Sequence, residues 1–181
     1  MLNTLQRIAC FIDGLSEHTG RVIAWLTLGT VMLTFTVVVL RYGFDTGSIA
    51  MQETVSYLHA AVFMLGAAYT LKHDGHVRVD IVYRRLSARG QAMVNLLGTL
   101  LLLLPVCVFI LTSSWEYVAV SWNLREGSQE AGGLDAVFLL KTAIPAMAVL
   151  LMLQGIAIAI HNLLQLLGAE QPDSEQADRE L

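Results

Sequence analysis

The chain has 181 residues, of which 55% are hydrophobic and 14% charged, with a formal net charge of −4. Soluble domains carry about 25% charged residues, so this composition argues against an ordinary soluble fold. The acidic balance and the lack of a basic, aromatic-laced patch exclude nucleic-acid binding. The apolar residues fall in runs of roughly 20, the length that crosses a hydrocarbon core of about 30 Å at about 1.5 Å per residue. A helix apolar all round has no face for water. The expectation is an all-α integral membrane protein.

Residues 1–20 place Leu5, Ile8, Ile12 and Leu15 at helical spacing, with Gln6, Arg7, Asp13 and Glu17 elsewhere. This predicts a short amphipathic helix lying in the interface. The apolar run Ile8–Ile12 is too short for a signal peptide and no small-residue cleavage site comes after it, so cleavage is not expected. The first span is predicted over about 22–40, an uncharged stretch bounded by Arg21 and Arg41, with Trp25 and Tyr42 near its ends as an aromatic belt expects. A connection rich in turn formers (Gly43, Asp45, Gly47, Ser48) precedes a second span over about 55–71. Ser48 is placed to begin this helix, and Gly66, Ala67 and Ala68 form a small-residue patch that a second helix can approach closely.

The central loop, about 72–90, holds five of the eleven Lys and Arg residues. A polar turn at Asp74-Gly75 is succeeded by Val79, Val82, Tyr83 and Leu86 at helical spacing, with Arg78, Arg85 and Arg89 on the other side. That pattern predicts a basic interfacial helix held against lipid headgroups by Arg78, Arg84, Arg85 and Arg89. Ser87 is a candidate N-cap for the third long helix. The third span is predicted over about 93–120 with a kink at Pro105, Trp115 and Trp122 marking its far interface. A glycine-containing loop leads to a fourth span over about 137–160, with Lys141 in its first turns and Pro145 one turn on. Residues 1–168 then form one four-helix membrane domain, and the acidic stretch 169–181 reads as a disordered tail. Eight Lys and Arg residues fall on the side of the termini and central loop against three (Arg41, Arg125, Lys141) on the other. Positive residues stay cytoplasmic, so both termini are expected inside.

Few residues carry chemistry. His73, Asp74, His76 and Asp80 are weak metal candidates, because Lys72 and Arg78 bring opposing positive charge. Asp80 between Arg78 and Arg84 reads as a local ion pair. His59 and Gln154 lie inside spans, where a polar group either serves transport or bonds two helices. Cys10 and Cys107 stand alone and read as small hydrophobes. Neither a nucleophile–base pair nor a phosphate loop appears, and the paired inverted repeats and midplane polarity of a transporter are missing. The residues point to a small helical membrane subunit that is not an enzyme and needs no cofactor. The alternative is a membrane anchor subunit of a redox complex, which requires paired histidines inside spans; only His59 is deep, and His161 lies at the end of the fourth span.

Seven segments carry a family resemblance: RYGF at 41–44, SIAMQE at 48–53, LGAAYTLKHDGHVRVD at 65–80, LSAR at 86–89, GGL at 132–134, LKTAIP at 140–145 and LLMLQG at 150–155. In order and spacing the chain resembles the DctQ-like small membrane subunit of tripartite ATP-independent periplasmic (TRAP) transporters. It departs from the family pattern at Met51-Gln52 before a single Glu53, and at Ala131 and Asp135 flanking the glycines. The resemblance implies a non-catalytic subunit in the bacterial inner membrane. It implies as partners a large DctM-like permease subunit and a DctP-like periplasmic solute-binding protein, serving ion-gradient-driven uptake of an organic acid. The expected structural and subunit-interface residues are Arg41, Glu53, Gly66, Ala67, Ala68, Gly75, His76, Asp80, Lys141 and Pro145; the other expected contact is with membrane lipids.

Overall fold

A computed structural model describes residues 2–77 and 80–169. Arg78, Val79 and residues 170–181 lie outside it, and with them the expected headgroup role of Arg78 and the expected tail. The described residues form α1 (Leu2–Gly43), α2 (Ile49–Lys72), the one-turn α3 (Asp80–Tyr83), α4 (Ala88–Gly98), a π-helical turn (Thr99–Leu103), α5 (Leu104–Leu124) and α6 (Val137–Leu166). Four helical segments are long and apolar enough to cross a membrane: α1, α2, the continuous run Ala88–Leu124, and α6.

The N-terminal stretch is not a separate interfacial helix. It runs without a break into the first span, giving one helix of 42 residues. Its buried positions are Ala9, Ile12, Ser16, Gly20 and Ile23; of the stripe Leu5, Ile8, Ile12 and Leu15, only Ile12 is buried. Ile8, Phe11 and Leu15 are exposed. The reason is a partner: Ala9 and Ile12 pack on Ala157 of α6, with Leu153 and Ile160 beside them. Small residues let the two backbones approach, and packing decides the face where hydrophobicity alone does not.

α2 begins where Ser48 caps it, the hydroxyl accepting from the Met51 N–H at 3.4 Å. It ends at Asp74, a non-glycine residue in the left-handed conformation (φ 56°). The Gly75 N–H reaches back to the Thr70 carbonyl at 2.9 Å, satisfying one of the last free carbonyls. The turn is therefore where the sequence puts it, but Asp74 rather than Gly75 makes the reversal. Beyond it, the basic helix shrinks to the four residues of α3. Arg84 and Arg85 lie in the turn after α3, and Arg89 in the first turn of α4, which Ser87 caps through the Gly90 N–H at 3.3 Å.

The helix is irregular at Pro105. A π-helical turn, Thr99–Leu103, precedes it, and the Leu104 N–H bonds to the Thr99 carbonyl, five residues back. Proline cannot donate and its ring crowds the carbonyl four residues before it; a wider turn displaces that carbonyl. The turn packs against Gly155 of α6, where an added Cβ would stand 2.9 Å from Leu103 Cδ2.

α6 is the helix the others share. It contacts α1, α2, α4 and α5, while α1 pairs with α2 on one side. Pro145, Ala148, Gln154, Gly155, Ala157, Asn162 and Leu164 are all buried along it.

Candidate functional site

Two polar networks stand near opposite ends of the bundle. The first joins α1, α2 and α6. Ser16 donates to Gln154 Oε1 at 2.6 Å, and Gln154 Nε2 donates to Asp13 Oδ1 at 2.9 Å. His161 Nε2 meets the other Asp13 oxygen at 2.8 Å. One turn along α1, Glu17 takes Lys72 at 2.7 Å, Arg21 at 3.0 Å and His73 at 3.3 Å. Each acceptor oxygen of Asp13 and Glu17 has a donor, as buried or half-buried carboxylates require. Gln154 is 1% exposed. Its intramembrane polarity bonds helix to helix, one of the two roles the sequence allows.

The second network fastens the α5–α6 loop. Glu53, in the first turns of α2, accepts from the Leu134 N–H at 2.6 Å and from Ser128 Oγ. Gly133 lies so close that a Cβ there would meet Ser128 and Glu53. Lys141 pairs with Glu126 at 2.5 Å and stands 4.0 Å from the Tyr117 ring centroid. Lys141 holds the Glu126 carboxyl below the ordinary carboxylate range by donating a hydrogen bond to it. Trp122 donates to Thr142 at 2.8 Å, and Arg125 caps α5 in the left-handed conformation with its guanidinium over Trp122 and Phe138.

The residues singled out in the sequence have different fates. Glu53 and Lys141 belong to this second network but bond different partners. Ala68 is buried (2% exposed), Ala67 and Gly66 half-buried, and Gly66 has open space where a side chain would stand. Close approach between helices occurs instead at Gly20, against the Tyr69 ring, and at Gly155. Arg41 is exposed at the end of α1; Pro145 is buried in α6. His73 bonds Tyr69 O and Glu17, while exposed His76 bonds Ala67 O; the loop histidines do not converge. Nothing is described of the Asp80 side chain. Among the described residues no three His, Cys, Asp or Glu groups could hold a metal ion.

His59 is exposed on α2. A side chain at Gly29 would touch its neighbour Leu58, whereas His161 sits level with Asp13. Some 16 residues of α1 separate those levels, roughly 24 Å at about 1.5 Å per residue. The two histidines are not paired as haem ligands would be.

Gly20, Gly155, Asp13, Ser16, Glu17 and Glu126 are the residues that sequence reasoning missed. Only Gly20 and Gly155 left a signal, as glycines inside helical runs.

Residues 30–166 match the family model for tripartite ATP-independent periplasmic transporters, DctQ component. A Haemophilus influenzae protein named as a TRAP transporter small permease protein is 33% identical over 92 residues, 51% of this chain and 56% of that protein. The C4-dicarboxylate TRAP transporter small permease protein DctQ of Vibrio cholerae is 26% identical over 111 residues, 61% of this chain and 46% of that one. The chain thus spans about half the length of these curated relatives. No solved structure matches it.

Proposed function

The chain belongs to the DctQ-component family of tripartite ATP-independent periplasmic transporters, and from that premise we propose that it is a non-catalytic small subunit that scaffolds a large permease in the bacterial inner membrane. The observation that carries the reading is where the polar side chains spend their hydrogen bonds. Asp13, Glu17, Gln154 and Lys72 tie three helices together near one end. Glu53, Glu126 and Lys141 tie the loop and α6 near the other. Groups engaged in holding helices together are poorly suited to bind and release a solute or an ion in each transport cycle. Such a bundle suits a part that stays still while another moves.

The finer reading comes from the family. The permease carries solute and coupling ion, a periplasmic binding protein delivers the solute, and the solute is an organic acid. The name of the Vibrio cholerae relative specifies C4-dicarboxylates for that protein. The proposed orientation has both termini, α3 and the Arg84–Arg85 turn cytoplasmic, from the charge asymmetry of the loops. The test is affinity purification of the tagged chain from its native membranes, then reconstitution. The expected result is co-purification of a large multi-span permease, and uptake that requires permease, binding protein and this chain together. Ion-driven uptake by this chain alone overturns the reading.

A further inference from the structure

The exposed positions of α2 are Ile49, Gln52, Ser56, His59 and Phe63. They succeed one another in alternating steps of three and four residues, and Gly66, with open space at its Cβ position, continues the series. This is one outward seam a single residue wide, the register of helices packed knobs into holes. It differs in chemistry from the other outward faces. The outward side of α1 is broad and apolar (Val31, Met32, Phe35, Val38, Val39), as is that of the π turn and the first turns of α5 (Leu101, Leu102, Val106, Phe109); the exposed Glu116 of α5 comes later, beside exposed Trp115. Threonines in those helices donate to carbonyls of their own helix, as Thr30, Thr34 and Thr112 do. Hydrocarbon covers such faces without cost. It cannot cover His59, which stands in mid-helix with a ring that can both donate and accept.

At its Ile49 end the seam opens into a cleft of about 350 Å³ lined by Ile49, Gln52, Glu53, Ser56 and Glu130. The Glu53 carboxylate is fixed by the loop, and Glu130 is exposed beside it. The cleft is acidic. A second copy of this chain, inserted in the same direction, would bring two such clefts face to face about a two-fold axis and set like charges together. The complementary occupant is a helix with a basic side chain at that depth.

We propose that this seam is the docking face for one transmembrane helix of the large permease, which places Lys or Arg in the Glu53–Glu130 cleft and a hydrogen-bonding side chain against His59. Phe63 and Gly66 form the close-packed part of the contact. The inference rests on the function proposed above.

Benzoylphenylalanine is incorporated singly at positions 59, 63, 35 and 109 of the tagged full-length chain in its native membranes, then photolysed and the adducts identified by mass. Positions 59 and 63 are expected to give an adduct with the permease several-fold stronger than positions 35 and 109. An adduct of equal yield from all four, or one mainly from 35 or 109, overturns the seam while leaving the scaffold function standing. A dimer of this chain from 59 and 63 overturns it in favour of a second copy. If no position captures a permease and none co-purifies, the proposed function falls and this inference with it. Separately, His59→Leu is expected to lower recovery of the permease with the tagged chain by about threefold to tenfold, the range of one interhelical hydrogen bond in a membrane, and His59→Asn to restore part of it. Unchanged recovery in His59→Leu overturns the His59 contact.

Discussion

At Gly20, α1 is fitted closely against Tyr69 of α2. An added Cβ would overlap the ring and Cβ of Tyr69, and Tyr69 is itself stacked on His73 with ring centroids 4.2 Å apart. Overpacking of this kind costs about 1–3 kcal/mol. Gly20→Val is expected to destabilise the chain by that amount in SDS titration of micellar protein, and Gly14→Val, where a Cβ meets nothing within 4 Å, by much less. Glu126 gives a pH dependence. Its carboxyl titrates below the ordinary value because Lys141 donates to the charged form. A carboxyl depressed in the folded state contributes stability that is present above its unfolded value and is lost as pH falls through the folded one. The difference in melting temperature between the parent chain and Glu126→Gln is therefore expected to be largest at neutral pH and to shrink as pH falls below the ordinary carboxylate range and through the folded-state value. Circular-dichroism melts in detergent over a descending pH series check this.

At the scale of elements, two connections show how helices are fixed in place. The α5–α6 loop is held to α2 by one carboxylate, through Leu134 N–H and Ser128. Glu53→Ala removes both bonds, and the loop is expected to become cleavable around Gly132-Gly133 by protease added to the detergent-solubilised protein, with the helices intact. The parent chain should resist under the same conditions. The π turn and Gly155 form a second fitted pair. Pro105 was legible as a disturbance, but its form was not: proline dictates that one backbone bond is missing, and packing against α6 decides how the chain absorbs it. Capping, in contrast, was legible. Ser48 and Ser87 both cap as their position before a helical run implies, because a cap needs only atoms three residues away.

For the whole molecule, orientation is the property most open to test. A reporter fused after Arg125 is expected to read periplasmic, and the charge reversal Arg84→Glu with Arg85→Glu to impair insertion or co-purification with the permease. A cytoplasmic reading at Arg125, or normal assembly of the double variant, counts against the proposed topology.

Class and span number came from the sequence by itself: hydrocarbon thickness sets the length of an apolar run, so four runs read as four helices. The family segments, 65–80 above all, were readable too, being local in the chain. Tertiary structure alone decided that the N-terminal stretch continues α1, that α6 is the shared helix, and that Gln154 meets Ser16 and Asp13 across 138 and 141 residues. Inside a membrane nearly every face of a helix is apolar, so periodicity gives little sign of which face meets protein. Small residues and hydrogen bonds choose it, and their partners lie far away in the chain.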